Sequence, residues 1–301
     1  MKKTLVAFAA LAVVGAASAQ STATISGTIA AAYLKDFDGS KGLVLDSNSV
    51  KVSLSEDLGG GLKLSAATQF TGNGSRGGNV TKEDSSVALA GGFGSLSYAN
   101  TRSSSWAVTY GAVGDSWNWN GSYDNADVFS RSPVDALTYT SPSMGGVNVV
   151  AQYVESATDG SSTPATKSAV LGVKYAAGPL SIGGRVVSSS NDAFTSTTTK
   201  TSFDFGANYD LGIAKLGLGF DSKRRGKDDS DKAAVVVGVA VPMGPVSLGL
   251  NYMKRDTASI IDLGLNYSLS KRSSVYVDFG QHKSNAGDSA NQYNIVLVHN
   301  F

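Results

Sequence analysis

The last nine residues, YNIVLVHNF (293–301), alternate with a period of two. Tyr293, Ile295, Leu297, His299 and Phe301 fall on one side of an extended strand, and Asn294, Val296, Val298 and Asn300 fall on the other. A free terminus ordinarily frays into water, so a chain that stops on a phenyl ring needs that strand held inside a larger structure. The same alternation recurs upstream. Leu62, Leu64, Ala66, Thr68 and Phe70 face away from Lys63, Ser65, Ala67 and Gln69, and Phe203, Phe205, Ala207 and Tyr209 face away from Ser202, Asp204, Gly206 and Asn208. Helical spacing appears nowhere with comparable strength.

Two kinds of connection alternate between these strands. Short tight turns are centred on Gly59-Gly60-Gly61, Gly91 to Gly94, Ser141 to Gly146, Ala176 to Pro179, Asp210 to Gly212, Pro242 to Pro245 and Leu269 to Lys271. Longer polar connections are expected at about 34–48, 72–82, 102–132, 156–167, 190–199, 223–231, 255–258 and 283–291. Seven turns and eight loops join sixteen strands. An even number of antiparallel strands, with short turns at one end and long loops at the other, predicts an all-β, transmembrane, 16-stranded antiparallel barrel. Closure is obligatory in a bilayer because unpaired backbone groups cannot face hydrocarbon. A soluble β-sandwich is the competing architecture, but sixteen strands in one such domain are hard to accommodate.

Composition narrows the compartment. Met1-Lys2-Lys3, the apolar run from Thr4 to Val14 and Ala17-Ser18-Ala19 predict a signal peptide over residues 1–19, leaving a single barrel domain over 20–301. The alternative, a membrane anchor, needs about 20 apolar residues and the run is shorter. Without Lys2 and Lys3 the acidic and basic residues almost cancel, which gives no basis for nucleic-acid binding. The chain has no cysteine, so neither a disulfide framework nor a thiolate metal site is available. No cofactor and no metal site is expected. Aromatic residues mark both ends of the strands: Tyr139, Tyr175, Tyr209 and Tyr267 precede short turns, while Tyr33, Phe70, Tyr153, Phe220, Tyr252 and Phe279 adjoin long loops. These predict two interfacial girdles, with Phe301 in the turn-side girdle and the last strand paired to the first around Thr24 to Tyr33.

Three turn motifs carry a family likeness. Glu56-Asp57-Leu58-Gly59-Gly60-Gly61-Leu62-Lys63, Val87 to Leu96 and Leu137 to Gly146 resemble the first three periplasmic turns of the general porins of β-proteobacteria and Neisseria. The Tyr293, Ile295, Leu297, His299, Phe301 series resembles the signal by which such strands are taken up by the outer-membrane assembly machinery. The resemblance implies a homotrimer in the outer membrane, in contact with its lipid, whose third extracellular loop folds back into the lumen and narrows it. That loop corresponds to the longest connection, about 102–132. The implied function is passive diffusion of small hydrophilic solutes and ions, or, alternatively, a solute-specific channel for a sugar or an organic anion. The chain departs from the family at Ala99-Asn100-Thr101, where a Gly-Arg-Gln-like end is common, and at Thr138, where an inward Arg is common. A strongly basic constriction does not follow.

Alternation places Lys51, Lys63, Lys174 and Arg185 on the polar face, together with Asp204, Asp221, Asp262 and Asp278. The long loop adds Asp115, Asp124 and Asp127, bracketed by Arg102 and Arg131. Either these charges face one another across a constriction and create a transverse field, or they are solvated wall residues remote from the narrowest point. Trp106, Trp117, Trp119 and Tyr123 lie in the same loop and either form a stacking surface for sugars or pin the loop to the wall. Catalysis is not expected: the only histidines are His282 and His299, and no Gly-x-Ser-x-Gly, phosphate loop or metal-ligand cluster appears.

Overall fold

The computed structural model describes residues 21–72, 80–114, 116–117, 128–129, 131, 133–156, 167–190, 201–222 and 232–301. The expected signal peptide therefore lies outside the described residues. Sixteen strands run through the chain: β1 (Ser21–Lys35), β2 (Lys41–Gly59), β3 (Leu62–Gly72), β4 (Val80–Gly91), β5 (Gly94–Arg102), β6 (Pro133–Thr140), β7 (Val147–Ser156), β8 (Lys167–Ala177), β9 (Leu180–Ser190), β10 (Thr201–Asp210), β11 (Lys215–Asp221), β12 (Ala234–Met243), β13 (Val246–Arg255), β14 (Ala258–Ser268), β15 (Ser273–Lys283) and β16 (Ser289–Asn300). Among the described residues one short helix, α1 (Trp106–Gly111), lies between β5 and β6. Each strand pairs antiparallel with its sequence neighbour, and β1 pairs with β16, so the sheet is a closed barrel.

Burial is inverted relative to a soluble protein. Leu171, Leu218, Leu263, Ile295 and Leu297 are more than half exposed on the outer face, while Asp204, Asn251, Arg255, Asp262 and Asp278 are almost fully buried on the inner one. An apolar surface of that extent faces lipid, not water. All the girdle aromatics named above lie on the outer face by the pairing register, Tyr175 against Ile182, Phe220 against Phe205 and Tyr252 against Ile261 among them. No helix among the described residues is long and apolar enough to cross a membrane.

The first connection is shorter than its polar composition predicts. Strands β1 and β2 continue to Lys35 and from Lys41, leaving only residues 36–40 between them in place of 34–48. The reason is a β-bulge: the register shifts at Ala30/Ala31, where Asp46 is the extra residue between Leu45 and Ser47. A bulge inserts one residue and breaks strict alternation, so a pattern of period two loses the strand there.

Closure of the barrel explains the terminal ring. Thr28 to Lys35 pair with Asn300 to Tyr293 in sequence, and Gly27 exchanges both backbone hydrogen bonds with Phe301 at 3.0 and 3.1 Å. The Phe301 ring lies against Gly27: a Cβ built there would come within 2.8 Å of Phe301 Cε1 and would also crowd the Ser49 carbonyl. Only glycine leaves that space. Gly27→Val is therefore expected to lower the yield of folded barrel sharply, read as loss of the heat-modifiable band on gels. Ala31→Val, also outward on β1, is expected to fold at near wild-type yield.

Candidate channel lumen and its inner segment

Of the described residues after β5, Ser104, Trp106, Tyr110, Gly114 and Trp117 make contacts with the polar face of the wall. Helix α1 begins where the Trp106 amide donates to Asp204 Oδ1 at 2.7 Å. The Asp204 carboxylate also accepts from Arg185 Nε at 3.1 and 3.0 Å, and Arg185 Nη2 donates to the Ser104 carbonyl at 2.6 Å. Arg185 and Asp204 are cross-strand partners on β9 and β10, so the barrel register itself builds this anchor. Lys174 Nζ and the Arg185 guanidinium lie 5.0 and 5.3 Å from the centre of the Trp106 ring, within cation–π range.

Beyond the anchor the segment follows the wall. Asn208 Nδ2 donates to the Tyr110 carbonyl at 3.2 Å. Gly114 and Asn251 exchange hydrogen bonds of 2.8 and 3.1 Å on β13. The Trp117 amide donates to Asp278 on β15 at 3.1 Å, its indole N–H donates to Asp46 on β2, and its ring packs 5.6 Å from Tyr276. Burial raises the phenol of Tyr110 above its ordinary titration range. On the returning limb, Arg255 is 2% exposed, donates to the Val128 carbonyl at 2.8 Å and to the Lys232 carbonyl, and stacks 5.7 Å from Phe129.

Close approach of two backbones requires a wall without side chains. Inward positions Gly183, Gly206, Gly217, Gly219 and Gly238 of β9 to β12 supply it. A Cβ at Gly206 would lie 2.6 Å from the Trp106 carbonyl oxygen, and one at Gly219 would lie 2.7 Å from Ala107 Cα. Ala107 and Val108 then pack with Val236, Met253 and Ile260 in a small apolar cluster on what is otherwise a polar face.

The residues singled out in the sequence are therefore distributed as follows. Arg185 and Trp106 come together at the anchor, and Arg185 sits beneath the segment rather than across an opening from it. Trp106 is 9% exposed, which leaves no open face for a sugar. Trp117 reaches the wall at β2 and β15. Arg102 ends β5 and Arg131 stands just before β6, so the pair brackets the segment. Lys51 is exposed on the inner face of β2, opposite Gln69 in the register. Strands eight positions apart in a ring of sixteen face one another, so Lys51 looks across at β10, beside which α1 is docked. Lys63 is also inward and exposed, but it is the second residue of β3, beside the turn. Asp115, Asp124, Asp127, Trp119 and Tyr123 lie outside the described residues.

The four wall acids are not solvated lumen charges. Asp204, Asp221, Asp262 and Asp278 are between 0% and 4% exposed. Asp204 and Asp278 are covered because they receive the segment's amides. Arg255, Asn251 and the docking glycines were not singled out in the sequence. Inward glycines at alternate positions, as in Gly217-Leu218-Gly219, are the signal that marks a wall cleared for a second chain segment. Of the histidines, His282 packs its ring 5.8 Å from Phe37, and His299 faces outward with Nδ1 3.0 Å from Ser273 Oγ. Tyr293, Ile295, Leu297, His299 and Phe301 all lie exposed on the outer face.

Known proteins share this architecture. Outer membrane porin protein 32 of Delftia acidovorans is 29% identical over 309 residues, covering 92% of this chain and 88% of that protein. The anion-selective porin from Comamonas acidovorans superposes with a TM-score of 0.69 at 24% identity, over 94% of this chain and all of that one. The trimer form of the outer membrane protein OmpT of Vibrio cholerae superposes with a TM-score of 0.68 at 15% identity, over 93% of this chain and 99% of that one. The family described as Gram-negative porin matches residues 5–287. With that match spanning almost the whole chain, and a closed sixteen-stranded barrel whose apolar face is turned outward, the chain belongs to the Gram-negative porin family and is a channel of the outer membrane.

Proposed function

We propose that this porin is a water-filled passage for passive diffusion of small hydrophilic solutes and ions, and that it acts as a conduit and not as a catalyst. The observation that carries the reading is the course of Ser104, Trp106, Gly114 and Trp117, which touch β9, β10, β13, β15 and β2 in turn on the polar face. A segment on that course is the third external loop folded inward, and it narrows the lumen without sealing it. Lys51, exposed on the facing wall, sets part of the local field.

Liposome swelling with sugars of graded size tests this reading. The rate is expected to fall steeply with solute size and to show no saturation; saturation at millimolar solute would favour the solute-specific alternative. Lys51→Glu is expected to move the reversal potential in a salt gradient toward cation preference. Two charge units at ~10 Å in water amount to about 0.8 kcal/mol, or roughly four-fold in the weight of a passing ion. An unchanged potential would remove Lys51 from the ion path.

A homotrimer fits the outer face. Thr68, Ser85, Asn100, Asp135 and Glu155 are successive cross-strand partners on the outward side of β3 to β7. Thr68 and Ser85 are bonded at 2.9 Å, as are Asn100 and Asp135. Polar groups on a lipid-facing wall are costly, and a neighbouring subunit is a better environment for them than hydrocarbon. The trimeric form of the Vibrio protein is consistent with this arrangement. The rest of the outer face meets outer-membrane lipid, residues 1–19 serve export, and the Tyr293 to Phe301 strand is the part presented to the assembly machinery.

A further inference from the structure

The inner wall of β6 to β9 is unexpectedly aliphatic for a water-filled barrel. Val134, Val150, Val170 and Val187 all point inward and are no more than 7% exposed. They floor a cavity of about 380 Å³ beneath the base of the segment, walled by Trp106 and Phe129. That volume lies in the range of roughly 300–1,000 Å³ typical of small-molecule sites. Among the described residues the cavity also carries Arg102, Lys174, Arg185 and Arg255, against one carboxylate, Asp221. Asp204 lies behind the lining and is taken up by Arg185.

Lys174 is the informative group. Its ammonium sits over the Trp106 ring, half-buried and next to Arg185, and no carboxylate pairs with it among the described residues. A buried charge is ordinarily paired, and an anion entering the cavity meets this one. Chloride alone would use the charge and leave the valine floor unoccupied. A sugar would find partners in lining groups such as Thr138, Gln152 and Ser168, but would leave the valine floor without an apolar contact. A molecule with a carboxylate at one end and an apolar body at the other meets both surfaces.

We propose that this cavity binds small amphipathic monocarboxylates, with Lys174 holding the carboxylate and the inward valines the apolar body. The inference rests on the channel reading and names the solute class that this passage retains longest. A carboxylate drawn into the lumen would dwell at Lys174 before passing the segment, so it acts as both a permeant and a partial blocker.

The test uses the full protein in planar bilayers, with benzoate and acetate added at equal concentration during potassium chloride conduction. Benzoate is expected to reduce the current in a dose-dependent way, and acetate to do so at least about ten-fold more weakly. Lys174→Gln and Val170→Thr are each expected to weaken the benzoate block by about ten-fold, measured against each variant's own chloride current. Val170→Thr preserves volume and adds a hydroxyl, so it tests the floor without removing charge. Equal action of benzoate and acetate on a conducting wild-type channel would overturn the inference and leave the channel reading standing. Unchanged block in Lys174→Gln would overturn it likewise, and a folded barrel that passes no chloride would overturn both.

Discussion

Gly219→Leu is expected to push α1 off the wall and leave the barrel itself intact. The residue is inward on β11, and a Cβ there would lie 2.7 Å from Ala107 Cα, with the Ala107 carbonyl closer still. Backbone atoms of a helix cannot step aside as a flexible side chain does, so the whole turn must move. Overpacking of this kind costs about 1–3 kcal/mol, which multiplies the undocked population about 5- to 150-fold. Residues 103–130 contain no Lys or Arg but include Trp106, Tyr110 and Trp117. Chymotrypsin therefore reports directly on undocking. In reconstituted vesicles the variant is expected to be cut where the wild type resists, and its single-channel current to become larger and noisier. Wild-type resistance combined with wild-type noise would mean that the segment does not rest on β11.

Arg185→Met is expected to be the most damaging single change on the inner wall. The Asp204 side chain is fully buried and the Arg185 side chain is 10% exposed. Removing one partner of a buried pair leaves the other charge without its counter-ion, at a cost of about 3–5 kcal/mol. The same change removes the bond to the Ser104 carbonyl, so the segment loses its anchor at both ends of the guanidinium. The effect is read as a fall in the urea midpoint of the protein refolded in micelles. Arg185→Met combined with Asp204→Leu is expected to be less unstable than Arg185→Met alone, because the double change leaves no uncompensated charge. Strict additivity of the two single changes would show that the pair is not coupled.

Particular residues show how far the sequence carries. The alternation of Leu62 to Phe70 and of Tyr293 to Phe301 appears unchanged as outward and inward rows in β3 and β16. The turn glycines ended strands where the structure ends them, at Gly60-Gly61 and at Gly178. At Asp46 the reading failed, since one bulged residue removes the period on which it depends. Helix α1 was equally invisible: six residues give fewer than two turns, too few for a period of 3.6 to register. Arg185 was placed on the correct face, but the segment above it and its bond to Asp204 were not foreseen.

By itself, the sequence determined the strand count, the turns, the two faces of the wall and the closure of the last strand on the first. Each of those follows from residues one or two positions apart, or from a solvent that differs between the two faces. Which inner surface is filled, and by what, was decided only in three dimensions. The contacts of Ala107 with Gly219, Trp106 with Asp204 and Trp117 with Asp46 join residues far apart in the chain. A glycine cleared for a neighbouring backbone reads locally like any other weak point in a strand, and a buried aspartate reads like a solvated one, until the ring is closed and the segment is laid across it.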